Sequence, residues 1–177
     1  ENNDLFIATE IGISRFNSES WTSYTQDDGL STYNTRSLAV DSTGILWAAT
    51  QYKLNFFDGS VWDQYTEADG LPDNTLNAVH TDRNGLIYVG TEAEGIGIFD
   101  GSQWTNYTVF DGLAGNTIED LITDKSGNIY AAVKDSGISR YNGTVWEIYT
   151  TADGLAHDTV TSLAMDSKGN LYAGTSG

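Results

Sequence analysis

The chain repeats itself. Asp-Gly-Leu begins at Asp28, Asp69, Asp111 and Asp153, at steps of 41, 42 and 42 residues. A Trp-x-x-Tyr-Thr element keeps the same beat at Trp21, Trp62, Trp104 and Trp146. So does an aromatic residue inside an apolar run, at Trp47, Tyr88, Tyr130 and Tyr172. Three markers in one phase define a tandem repeat. A period of this length restricts the fold to a solenoid, a propeller or a linear array.

One unit, residues 69–108, reads as four short strands. Residues 76–81 (LNAVHT) form strand A, and Asp82-Arg-Asn-Gly85 is a turn in which Asp bonds nearby backbone and Gly accepts a positive φ. Residues 86–91 (LIYVGT) form the apolar strand B. A short loop leads to strand C at 96–99, and Asp100-Gly101 makes a two-residue hairpin turn into strand D at 103–108. No helical periodicity competes, so the unit is an antiparallel meander. Trp104 and Tyr107 are three apart on strand D and point to opposite faces. Both faces therefore need cover, and we expect all four repeat tryptophans to be buried between successive sheets. Four-stranded sheets apolar on both faces stack radially as the blades of a β-propeller. A sandwich is the second choice, because it would leave alternate positions polar. The expected fold is all-β: four-stranded antiparallel blades in about four repeats of 41–42 residues.

In chain order the repeats are residues 1–27 (partial, strands B, C and D), 28–68, 69–110, 111–152 and 153–177 (partial, strands A and B), read as one propeller region over 1–177. That is seventeen strands, with strand B present at both ends (DLFIAT and NLYAGT). A closed four-bladed ring needs one fewer. The reading is therefore a piece of a larger array, with a small four-bladed ring as the alternative. Lys53 stands where other units have Gly12, Gly95 and Gly137, so a position suited to positive φ holds a residue that disfavours it.

Charge narrows the function. Eight Lys and Arg stand against 25 Asp and Glu, a net charge of −17, which opposes nucleic acid, anionic lipid and sulfated glycans. The absence of Cys excludes disulfides and thiolate metal sites. No apolar run is long enough to span a membrane as a helix, so no membrane insertion is expected. The first residue is Glu1 rather than Met, so a removed leader or a longer parent chain is expected. The sequons at Asn106 and Asn142 read as by-products of the repeat.

The pattern DGL…N-T…D-x-x-G-x-[LI]-[WY]-x-[AG]-T-x-x-G-[IL]-x-x-[FY]-[DN]-G resembles the two-component regulator propeller repeat. Residues 69–91 and 153–175 carry it most fully, and 28–50 and 111–133 follow, with Val133 in place of Thr. The resemblance implies a β-propeller. In that family such repeats often form periplasmic sensor regions of bacteria: two seven-bladed propellers ahead of an immunoglobulin-like domain, a membrane helix and a kinase. Several of those sensors recognise breakdown products of polysaccharides, and secreted members without a kinase exist. None of those other modules is present in this sequence. The resemblance implies a periplasmic or extracellular location.

In an up-down meander the A–B and C–D turns share one face, and the D–A and B–C loops share the other. The first face is uniform. Its Asp-x-x-Gly turns at 41–44, 82–85, 124–127 and 166–169 each offer one carboxylate, which turn formation explains, so no metal site is assigned. Asp28, Asp69, Asp111 and Asp153 read as loop-closing residues. The second face varies as a binding face would. Its candidates are Tyr33, Asn74, Asn116 and His157 from D–A loops, and Tyr52, Lys53, Glu92 and Lys134 from B–C loops. Arg36, Asn77 and Glu119, with Thr161, occupy equivalent positions early in strand A, the innermost strand, and project toward the axis. Exposed Tyr with amides and carboxylates suits a carbohydrate-type site, a flat apolar ring beside convergent hydrogen bonds. No Ser-His-Asp constellation has supporting local structure, so no catalytic residue and no cofactor are assigned. His80 falls within strand A and reads as a satisfied core residue. The functional reading is a non-catalytic ligand-binding or interaction propeller of a bacterial envelope or secreted protein, with a saccharide or a protein as partner. The alternatives are a propeller lyase or glycan hydrolase working from the axial face, and a structural repeat of a surface assembly.

Overall fold

The computed structural model describes residues 4–176; residues 1–3 and Gly177, and with them the reading of Glu1, lie outside the described residues. Seventeen strands form five antiparallel sheets. The first holds β1 (Leu5–Thr9), β2 (Gly12–Phe16) and β3 (Trp21–Tyr24). The second is β4 (Thr35–Val40), β5 (Leu46–Thr50), β6 (Lys53–Phe57) and β7 (Trp62–Tyr65). The third is β8 (Leu76–Thr81), β9 (Ile87–Thr91), β10 (Ile96–Phe99) and β11 (Trp104–Tyr107). The fourth is β12 (Ile118–Thr123), β13 (Ile129–Val133), β14 (Gly137–Tyr141) and β15 (Trp146–Tyr149). The last pairs β16 (Val160–Met165) with β17 (Leu171–Thr175). Each sheet is a simple meander, and strands A (β4, β8, β12, β16) pack successively on one another along the inside of the stack. These are propeller blades in an arc.

Strand B shows why the blades stack. Leu46 and Ala48 pack back on Ile13 of the first sheet, while Trp47 and Ala49 pack forward on Leu71 and Leu76. Alternation sends side chains to two faces, and both are apolar. Strand D adds an aromatic interlock. Trp62, Trp104 and Trp146 each stack on their own strand C ring and meet edge-on the Tyr of the preceding sheet, at 5.6, 6.0 and 5.8 Å between centroids. Such tilted pairs are a preferred aromatic geometry.

Two expectations need correction. Trp21 is 57% exposed, because no preceding sheet among the described residues brings it a Tyr; the other three repeat tryptophans are half-buried. Leu5, Ile7 and Tyr172 are exposed as well, so the described residues form an arc with two open outer faces rather than a closed four-bladed ring. Nor does Lys53 sit in a strained backbone: it has no positive φ and pairs with Thr50 in a tighter hairpin. Gly95 and Gly137 do need theirs, at φ 80 and 82, since a Cβ at either would lie 2.1 Å from a carbonyl oxygen of strand D.

The structure also explains the Asp-Gly-Leu marker. Each D–A loop opens with a 3-10 turn, such as Glu67–Asp69, closed by a capping box in which Asp69 Oδ2 accepts from the N–H and hydroxyl of Thr66, both at 2.9 Å. Gly70 then takes a left-handed conformation, φ 99, and Leu71 drops into the seam between sheets. The same box recurs at Thr25/Asp28, Thr108/Asp111 and Thr150/Asp153. Reciprocal capping satisfies two backbone donors at once.

Candidate functional site

Strand A carries a feature absent from the other strands. Its pairing with strand B slips by one residue at the same place in each of the four sheets that hold it: between Thr35 and Ser37, Leu76 and Ala78, Ile118 and Asp120, and Val160 and Ser162. The extra residues are Arg36, Asn77, Glu119 and Thr161. A bulge leaves its extra residue outside the ladder and re-aims its side chain. The core contacts confirm this. Leu76 packs backward, Ala78 forward and Val79 backward, so alternation continues as though Asn77 were missing. Ile118 and Leu121 likewise pack backward while Asp120 reaches forward. The bulge residue belongs to neither blade face and is left for the axial rim.

Three candidates meet there. Arg36 donates from Nη1 to Asn77 Oδ1 and, at 3.1 Å, to Glu92 Oε2. Asn77 Nδ2 donates to the carbonyl of Ile118 at 3.0 Å, so its amide links three successive sheets. The Arg36–Glu92 pair is solvated, with 29% and 48% of the two side chains exposed, and adds little stability by itself. It holds a guanidinium at the rim while leaving donors unused. Glu119, half-buried on the next sheet, makes no side-chain hydrogen bond among the described residues, and Thr161 donates to the Gly174 carbonyl at 3.3 Å.

Tyr33 and Tyr52, 44% and 56% exposed, project from the two loops at the same end of the second sheet. These loops are joined by a bond from Gln51 N to the Asn34 carbonyl. Lys53 follows directly and forms no ion pair among the described residues. The other candidates are engaged in shaping loops. Asn74 Oδ1 accepts from Glu67 N, Asn116 Oδ1 from Val109 N and His157 Nδ1 from Thr159 N. Lys134 is tied through its backbone N–H to the Thr117 carbonyl, with its side chain in solvent. The structure thus gathers Arg36, Asn77 and Glu92 into one bonded group, places Tyr33, Tyr52 and Lys53 on the same second sheet, and distributes the rest.

The opposite face is built from its turns. Asp82 Oδ1 accepts from the N–H groups of Asn84 and Leu86, and Oδ2 accepts from Tyr88 Oη and Asn84 Nδ2. Asp124 and Asp166 are bonded in the same way through Asn128 and Asn170. Exposed Asp58 and Asp100, in the C–D turns, are held below the usual carboxylate range by the N–H and hydroxyl donors they accept from. No group of three metal-ligating side chains converges among the described residues. A cavity of about 410 Å³ opens between the A–B turns of the third to fifth sheets, with His80 in its wall.

Strand A also joins sheet to sheet through its side chains. Ser37 Oγ accepts from Val79 N, Thr81 Oγ1 donates to the Val40 carbonyl, Thr123 N donates to His80 Nε2, and Leu163 N donates to Asp120 Oδ2. An inner strand is a sheet edge with unpaired backbone groups, and these bonds satisfy them. His80 is a satisfied seam residue.

An arc of four-stranded blades with a bulge-lined axial rim is the architecture of a β-propeller with one variable face. The family model described as Two component regulator propeller matches residues 154–177, so the chain carries that repeat. No curated protein matches the sequence. Among solved structures, the chain is similar to the extracellular domain of a hybrid two component system from B. thetaiotaomicron, with TM-score 0.86 and 23% identity over 99% of this chain and 25% of that one. It is also similar to the extracellular domain of a one component system from the same organism, with TM-score 0.81 and 22% identity over 97% of this chain and 27% of that one. Virginiamycin B lyase from Staphylococcus aureus matches with TM-score 0.77 and 14% identity, over 98% of this chain and 60% of that one. At these identities the likeness shows the fold. The chain spans 25% and 27% of the two extracellular domains' length. No helix among the described residues is long and apolar enough to cross a membrane.

Proposed function

We propose that this chain is a ligand-binding segment of an extracellular-facing sensor propeller, and that it binds a saccharide at the rim formed by D–A and B–C loops. The observation that carries this reading is the bulge repeated in every strand A, which takes Arg36, Asn77, Glu119 and Thr161 out of blade packing on the innermost strand. A scaffold that isolates one residue per blade from its core can vary that residue without loss of fold. The polar rim stands beside two exposed tyrosines, which together supply hydrogen bonds and a stacking surface. The similarity to extracellular domains of two sensor systems supports the location and the sensing role.

The test is a glycan array followed by calorimetry. Tyr52→Ala should weaken a hit by about 1 kcal/mol or more through lost stacking, with little change in stability. Arg36→Ala should weaken it by more than Arg83→Ala on the opposite face. A ligand whose affinity follows Arg83 and ignores both Tyr52 and Arg36 would overturn the reading. Turnover of a substrate that Glu119→Gln abolishes would replace it with an enzyme.

A further inference from the structure

We propose that His80 makes the seam between the third and fourth sheets an acid-released latch. The bond at its Nε2 is the starting point. The backbone N–H of Thr123 donates to that nitrogen at 3.3 Å, and Thr123 Oγ1 lies 2.9 Å from it. An amide N–H can only donate, so Nε2 must accept, and the neutral ring carries its proton on Nδ1. Protonation would place a second N–H on Nε2. The Thr123 hydroxyl can rotate to accept from it, but the amide cannot turn. Thr123 N would then be left without its partner inside the seam, beside a cation.

The surroundings set the direction of the balance. Asp82 on the same strand side and Asp120 on β12 favour the imidazolium by their charge, and the Tyr88 ring lies 6.0 Å away. Asp82 is already committed to its turn and to Tyr88 Oη, and Asp120 to the N–H groups of Leu121 and Leu163. Arg83, Asp124, Lys125 and Asp166 line the same cavity. Burial is the largest effect and holds His80 below the usual histidine range, with the two carboxylates opposing it. The sign follows: a depressed folded pKa gives a contribution present above the ordinary value of about 6.5 and lost as pH falls through the folded pKa. The cavity gives water and protons a route to the ring.

Only His157, which is exposed, adds a second imidazole, and Asp120, raised by burial, is common to the parent and to the histidine variants. Amide exchange at Thr123 and its β12 neighbours, corrected for intrinsic rate, should rise at least about fivefold between pH 7.5 and pH 5 in the parent. His157→Gln should behave like the parent, whereas His80→Gln, which cannot gain a proton, should lose the dependence. Equal pH dependence in parent and His80→Gln overturns the proposal, as does none in the parent. Should His80→Gln fail to fold, nitrogen-detected magnetic resonance of the parent decides: an Nδ1–H tautomer titrating below the ordinary range supports the latch, and an Nε2–H tautomer or a titration at or above that range overturns it.

Discussion

Trp104→Ala and Trp21→Ala remove the same side chain from the same repeat position, yet they should differ in cost by about 2 kcal/mol. A large aromatic buries up to ~250 Å², worth ~25 cal/mol per Å². Trp21 is 57% exposed, so the part it hides is worth about 2.5 kcal/mol at most. Trp104 is half-buried, stacks on Phe99 at 5.0 Å and meets Tyr65 edge-on at 6.0 Å. Its removal should cost about 4–5 kcal/mol, including ~0.5–1.5 kcal/mol for the aromatic pair. Urea denaturation followed by circular dichroism reads both, provided the slope m is unchanged between variants. Equal midpoints for the two variants would refute the inference that the interlock between successive sheets carries the stability of the stack.

Trp104→Phe should recover more than half of that loss, because Trp104 Nε1 is buried without a partner among the described residues and its removal relieves an unmet donor, as the denaturation midpoint will show. Ser18→Gly should stabilise by about 0.5–1 kcal/mol, since Ser18 holds φ 75 where Gly59, Gly101 and Gly143 occupy the equivalent turn; a lower melting temperature would contradict this. Gly137→Ala should cost at least about 2 kcal/mol by forcing apart Gly137 and the Tyr149 carbonyl, read in the same urea assay. Asp58 and Asp100 have folded pKa values below their ordinary range, so their contribution is present above about pH 4 and is lost as pH falls through the folded values. An acid titration of Asp100→Asn should accordingly be flatter below that pH than the parent's. At physiological salt the protein should pass through a heparin column unretained, because a net charge of −17 opposes binding across a screening length of about 8 Å.

How far the sequence could be read is clear from particular residues. Strand A at 76–81 and strand C at 96–99 coincide with β8 and β10, because Asp-x-x-Gly and Asp-Gly turns punctuate a plain alternation. Asp69 was legible as a loop residue but not as half of a capping box, since its partner Thr66 also reads as the end of strand D. The equivalence of Arg36, Asn77 and Glu119 followed from the repeat, whereas the bulge they share was hidden in a detail of Leu-Asn-Ala-Val: apolar residues at 76, 78 and 79 cannot belong to one unbroken period of two. That irregularity is the signal of the bulge. The exposure of Trp21 was not legible, because local sequence does not state whether a neighbouring sheet exists. The engagement of Asn74 and Asn116 with backbone N–H groups was likewise invisible, since the donors Glu67 and Val109 lie seven residues upstream.

The bulge has a consequence for how such a surface changes over time. In an unbroken strand every position answers either to packing or to solvent on a blade face, so a new side chain disturbs one of the two. Here the extra residue stands outside both. Arginine, asparagine, glutamate and threonine occupy it in four consecutive repeats, between neighbours that remain buried or bonded. Residues 36, 77, 119 and 161 are therefore free of core packing, and the rim bonds of Asn77 to Arg36 and to the Ile118 carbonyl are the main constraint left on them. A library randomised at those four codons should yield folded proteins at a far higher rate than one randomised two residues further on, at positions 38, 79, 121 and 163. The rim is a place where specificity can be rewritten while the architecture is inherited unchanged.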